Sequence, residues 1–111
     1  MKEKEVIDSV WRVFSQHLDS SQFKLVLVGS RASGTHHEFS DFDFVIIGKG
    51  PVSSSILTKI RTEIDEIKTF YSIDIVDFHR GTPEFRQVAS KNMKEVGEGG
   101  KLRPFSGAVP L

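Results

Sequence analysis

The sequence predicts an α/β domain of the α+β kind, a small mixed β-sheet packed against helices. Three observations carry this. Residues 4–18 and 54–69 repeat apolar side chains every three or four positions, the period of a helix with one buried face. Residues 23–28, 42–47 and 72–78 are short runs rich in Val, Ile, Leu and Phe, the length and composition of strands. The stretch at 54–69 is long enough for a crossover, so the strands on either side of it are expected to run parallel and to be joined right-handedly. At 111 residues the chain is expected to be one domain, able to bury a core without staples.

Taken in order, the first helix turns Val6, Ile7, Val10, Trp11, Phe14 and Leu18 inward and leaves Asp8, Arg12 and Gln16 outward. His17 reads as a surface histidine favoured by the helix C-terminus. Asp19, Ser20 and Ser21 break the pattern. Leu25 to Val28 then form an unbroken apolar run, as in a strand covered on both faces. Gly29 permits backbone geometry that a side chain hinders, and Ser30 adds a hydroxyl beside freed backbone N–H groups. Residues 31–40 read as a polar loop with Gly34, His36 and His37 on a mobile rim. Adjacent histidines rarely ligate one ion, so the pair is read as solvated or structural.

The second strand carries Asp41 and Asp43 on one face, about 7 Å apart along the chain, with Phe42, Phe44 and Ile46 on the other. Gly48 and Gly50-Pro51 close it. Ser53 to Ser55 offer N-cap hydroxyls to a helix whose buried stripe is Ile56, Leu57, Ile60, Ile64 and Ile67. In the third strand, alternation sets Asp74, Val76 and Phe78 against Ile73, Ile75 and Asp77. Thr82-Pro83-Glu84 is a helix start, with a hydroxyl cap, proline at the first position and an acid in the first turn. The helix is expected to run through about Val96, ending at Gly97, Gly99 and Gly100. The domain is thus expected to span residues 1–96, and residues 97–111 to form a flexible C-terminal tail, its Phe105 and Leu111 given no role.

Composition narrows the classes. Fifteen basic and fifteen acidic side chains cancel, which argues against broad electrostatic capture of nucleic acid. The absence of cysteine excludes disulfides and thiolate metal sites. A charged N-terminus and no apolar run of spanning length lead us to expect no signal peptide, no membrane anchor and a cytoplasmic location. What remains is the joint pattern Gly-Ser, ten residues, Asp-x-Asp, with a strand on each side. A lone Asp-x-Asp is usually solvated surface, and a lone Gly-Ser is usually a turn. Together they place an anion-friendly turn beside two carboxylates able to converge on one hard cation, which suits a nucleotide held by Mg²⁺. Arg31 follows the turn, where a guanidinium can meet phosphate, meet a neighbouring acid, or lie on the surface.

The stretch GSRASGTHHEFSDFDFVII resembles the signature of the DNA polymerase β-like nucleotidyltransferase superfamily, and is most similar to its minimal nucleotidyltransferases (MNT). The resemblance covers most of residues 5–96. It implies the nucleotidyltransferase fold, one or two Mg²⁺ ions held by Asp41, Asp43 and Asp74 as metal and catalytic residues, and ATP as substrate. Asp77 is the alternative third acid, because a one-residue slip of register swaps faces. It also implies nucleotide binding by Gly29, Ser30 and Arg31. Many members carry Arg-Ala-Arg-Gly where this chain has Arg31-Ala32-Ser33-Gly34. Larger members append a domain that grips the acceptor, so here the acceptor is expected from another chain. Minimal members typically accompany a small helical HEPN protein as its antitoxin, and some resemble enzymes that add AMP to a tyrosine of that partner. A homo- or hetero-oligomer is compatible with this. The alternative is a catalytically silent nucleotide-binding module that neutralises a partner by contact alone.

Overall fold

The computed structural model describes residues 1–105 and 107. Its first helix, α1 (Glu3–His17), begins where the Glu5 carboxylate accepts the Lys2 N–H at 3.1 Å. It buries Val6, Ile7, Val10 and Phe14, and leaves an Asp8–Arg12 pair on its wet side. His17, expected at the surface, is instead partly buried and paired with Glu63.

Strand β1 (Phe23–Val28) leads into α2 (Ser30–Ser33), a single helical turn where a plain loop was expected. Then come β2 (Phe42–Gly48), α3 (Ser54–Asp65) and β3 (Ile73–Asp77). The Ser53 hydroxyl caps α3 by accepting the Ile56 N–H. This helix stops four residues short of expectation. Its last turn tightens, with the Glu66 N–H reaching the Glu63 carbonyl, so Ile67 packs on the core from a turn. After β3, Asp77 caps one turn of 3₁₀ helix and Thr82 caps α4 (Pro83–Ala89). The chain closes with β4 (Lys94–Gly97) and β5 (Lys101–Pro104).

The strands lie in the order β3-β2-β1-β4-β5. β2 and β3 are parallel, as a helical crossover requires, and the other neighbours are antiparallel. Alternation divides the apolar residues between two cores. Leu25, Leu27, Phe42, Phe44, Ile46 and Ile75 pack under α1 and α3. Val26, Val28, Val45 and Ile47 face the other way, against Phe78, Ala89 and Met93. Each such side chain, fully buried, stabilises by roughly 1.5–3 kcal/mol before entropy is counted.

The expected helix through Val96 is wrong beyond Ala89. Phe85, Ala89, Met93 and Val96 do have helical spacing, but Met93 packs in the α4-side core and Val96 in the opposite one. Residues three apart on one helix share a face, whereas in a sheet an odd separation puts them on opposite faces. Covering both faces favours the strand. The expected flexible tail is instead a strand over Lys101–Pro104, which pair with β4 along its whole length. Arg103 bonds the nearly buried Glu95 at 2.6 Å, and Phe105 packs on the α4-side core. The hairpin turn needs glycine. Gly100 has φ 77°, and a Cβ there would lie 2.9 Å from the Asp8 nitrogen of α1. Leu111 lies outside the described residues.

Candidate active site

A cleft of about 550 Å³ opens on the α4 side of the sheet, lined by Gly29, Ser30 and Ser33, by Asp43 and Asp74, and by the C-terminal part of α4. A larger groove of about 720 Å³ crosses β4 and β5 beside Trp11, lined by Glu95, which is tied to Arg103, and Glu98. The smaller cleft is the one that brings two of the candidate acids beside the Gly29–Ser30 turn.

Asp43 and Asp74 are register partners on the parallel strands β2 and β3. Equivalent positions of parallel neighbours share a face, so both side chains stand beside the cleft. Asp74 is exposed and Asp43 half-buried. Asp41 is exposed and precedes the first residue of β2. Burial is the main cause holding the Asp43 carboxyl above its usual range, and the negative charges of Asp74 and then Asp41 add to it.

The turn after β1 is pressed against this acid. Gly29 has φ 74° and ψ −157°, and a Cβ at that position would sit 2.8 Å from Asp43 Oδ2. The Ala32 and Ser33 N–H groups bond back to the Gly29 carbonyl, leaving the first N–H groups of the turn without a partner inside it. The Ser33 hydroxyl lies 2.8 Å from that of Thr35, and both line the cleft near Ser30. The opposite wall is Phe85, Val88, Ala89, Lys91 and Asn92. These were missed in the sequence because reading a helix through residue 96 hid the polar break Ser90-Lys91-Asn92. That polar run, which interrupts the apolar spacing, was the available signal.

Three candidate residues do not line the cleft: Asp41, exposed just ahead of β2, Arg31, and the alternative acid Asp77. Arg31 is 7% exposed and lies over the Phe42 ring, on the α1/α3 side of the sheet. Its guanidinium is committed to backbone carbonyls and Glu3, so it does not join Gly29 and Ser30 in the cleft. Asp77, the alternative third acid, is 1% exposed and accepts the Val52 N–H at 2.7 Å and the His79 N–H at 3.1 Å. With Arg80 at 3.4 Å it is a structural clamp. His36 is half-buried, and its Nδ1 meets no hydrogen-bond partner among the described residues.

Among the described residues no three acidic or histidine side chains are grouped closely enough to form a metal cage. Magnesium does not need one, since it is usually held by one or two carboxylates plus substrate phosphates and water. Two facing carboxylates that repel each other and open on a cleft fit that donor set. No helix among the described residues is long and apolar enough to cross a membrane.

Residues 16–98 match the family model "Polymerase beta, Nucleotidyltransferase". No curated protein matches the sequence significantly. Among solved structures, a toxin–antitoxin with AMP-PNP superposes with a TM-score of 0.58 at 17% identity, covering 87% of this chain and 74% of that one. A complex of tri-AMPylated Shewanella oneidensis HEPN toxin with MNT antitoxin gives 0.63 at 10% identity, covering 87% and 73%. A toxin–antitoxin MntA-HpeT mutant gives 0.63 at 11% identity, covering 83% and 72%. At these identities the likeness is one of fold.

Proposed function

We propose that this chain, which belongs to the polymerase β nucleotidyltransferase family, is a Mg²⁺-dependent enzyme that moves AMP from ATP to a tyrosine hydroxyl of a HEPN-type toxin partner and so acts as its antitoxin. The observation that carries the reading is the pairing of Asp43 with Asp74 directly across from the Gly29–Ser30 turn in one open cleft. Asp41, Asp43 and Asp74 would hold the metal, which when bound supplies charge neutralisation on the phosphates and a lowered pKa at the acceptor hydroxyl.

The chain's own residues do the rest. Backbone N–H groups of the α2 turn and the Ser30 hydroxyl bind the β- and γ-phosphates. Phe85 and Val88 offer an apolar wall to the base, and Lys91 is the basic side chain lining the cleft. The acceptor oxygen forms a bond to the α-phosphorus, the bond from that phosphorus to the bridging oxygen breaks, pyrophosphate leaves and the hydroxyl proton passes to water. Positioning and electrostatics suffice, with no covalent nucleophile.

The test is to incubate the chain with Mg²⁺, ATP and a helical HEPN partner and to weigh the partner by intact-mass spectrometry. An added adenylate is expected, absent with Asp41→Asn. One observation favours the silent-module reading: Asp41 is not grouped with the other two acids into a three-ligand cage. That reading predicts neutralisation without a mass change, equally in the mutant.

A further inference from the structure

We infer that Arg31 is a positioning residue, a clamp applied from behind the sheet that fixes the segment carrying Asp41. The inference rests on the reading of Asp41 as a site acid. The guanidinium sits almost wholly buried, which is costly unless its donors are satisfied. Its Nε–H donates to the Ser40 carbonyl at 2.9 Å, and an Nη2–H to the Glu38 carbonyl at 3.2 Å. Nη1 lies 3.5 Å from a Glu3 carboxylate oxygen, a loose contact with a group exposed to water. The plane rests 4.0 Å above the Phe42 ring and 5.0 Å from that of Tyr71. Charge-assisted bonds and cation–π contact with two rings together offset the burial.

What these contacts hold is specific. Ser40 and His37 close a small turn on themselves, through the Ser40 N–H to the His37 carbonyl and the His37 N–H to the Ser40 hydroxyl. That turn moves as a unit unless something ties it down. Asp41 follows it and precedes the ladder, whose bonding at this end is the Phe42 N–H to the Ser72 carbonyl at 2.9 Å. Asp41 is therefore suspended between the ladder at Phe42 and the Arg31 bond at Ser40. By touching Tyr71 as well, the same side chain spans the segments leading to Asp43 and Asp74. It does not line the cleft, so its effect passes through Asp41.

The test compares wild type with Arg31→Met and Arg31→Lys, each confirmed as folded by circular dichroism. Hydrogen exchange of peptide 37–41 should quicken at least about tenfold in Arg31→Met, which loses two charge-assisted carbonyl bonds, with β1 and β3 unchanged. Half-saturating Mg²⁺ for ATP binding should rise about tenfold, with metal-free ATP affinity within about twofold of wild type. Arg31→Lys should fall between, since one ammonium cannot hold both carbonyls in a fixed fork, and it carries the test if the methionine variant fails to fold. Unchanged exchange at 37–41 would overturn the clamp. Quickened exchange with wild-type Mg²⁺ dependence would overturn the link to the site, leaving a role in packing. If wild type itself binds ATP without regard to Mg²⁺, the proposed function fails, and the exchange result alone decides the clamp.

Discussion

Gly29→Ala should damage both the fold and the site, and the two costs can be sized separately. The position has φ 74° and ψ −157°, a region open essentially to glycine alone, so a side chain there costs about 1–3 kcal/mol. The new methyl would also lie 2.8 Å from Asp43 Oδ2 in a packed turn, and relieving such a contact costs about another 1–3 kcal/mol. The stiffer unfolded chain returns roughly 0.4–1 kcal/mol. The net loss is about 1–5.5 kcal/mol, centred near 3, or roughly 5–30 °C in melting temperature for a domain near this size. Gly34→Ala is the control. It also has positive φ, 80°, but nothing lies within 4 Å of its Cβ, so the loss should be about 1 kcal/mol, the cost of the left-handed backbone alone. Urea denaturation gives both values, and calorimetry should show Mg²⁺-dependent ATP binding lost only in Gly29→Ala, because Asp43 must move to make room. Equal destabilisation by the two variants would refute the contact between Gly29 and Asp43.

Further expectations concern the acids. Asp41→Asn with Asp43→Asn should abolish the Mg²⁺ dependence of ATP binding while the fold survives, and an unchanged titration would defeat the metal assignment. Asp74→Asn should do likewise with little effect on stability. Asp77→Asn should do the reverse, lowering stability by about 1–3 kcal/mol in denaturant and leaving Mg²⁺-dependent binding alone, since its carboxylate serves Val52, His79 and Arg80. Because the folded chain raises the Asp43 carboxyl above its ordinary 3.8, it keeps that proton to higher pH than the unfolded chain does. Stability should therefore fall as pH rises from the ordinary carboxylate range through the raised value, then level off. Asp43→Asn should remove that slope in pH-dependent melts, and a slope of the same size in the mutant would contradict it. Arg103→Ala should cost about 1 kcal/mol, small because the arginine is largely exposed. No loss at all would mean that β5 is not held by the Glu95 pair.

The strands and acids were legible because period-two alternation decides them locally. Phe42, Phe44 and Ile46 could only face one way if Asp43 faced the other, and residues 73–77 obey the same rule. The C-terminal third was not legible for a related reason. Ala89, Met93 and Val96 satisfy a helical period as well as they satisfy two sheet faces, and only β1, offering Val26 and Leu27 as partners, decides between them. Pairing of that kind is a tertiary fact. Lys91 and Asn92 entered the cleft wall unseen with it.

Arg31 shows how a small local misreading redirects a functional assignment. In an extended loop a residue just after the Gly-Ser turn points toward whatever Ser30 faces, or directly away from it. In a helical turn each step rotates the side chain by about 100°, so Arg31 swings off the Ser30 face and passes to the far side of the sheet. There it meets Phe42, which faces α1 and α3 because its strand neighbour Asp43 faces the cleft. The alternation that exposes the acids thus also presents the ring on which the clamp rests. Phe42→Leu keeps apolar bulk but removes the quadrupole under the guanidinium. It should loosen the Asp41 segment as Arg31→Met does, though less, since both carbonyl bonds remain. A substitution on the helix-facing side of the sheet would then change Mg²⁺ dependence in a cleft that it does not line.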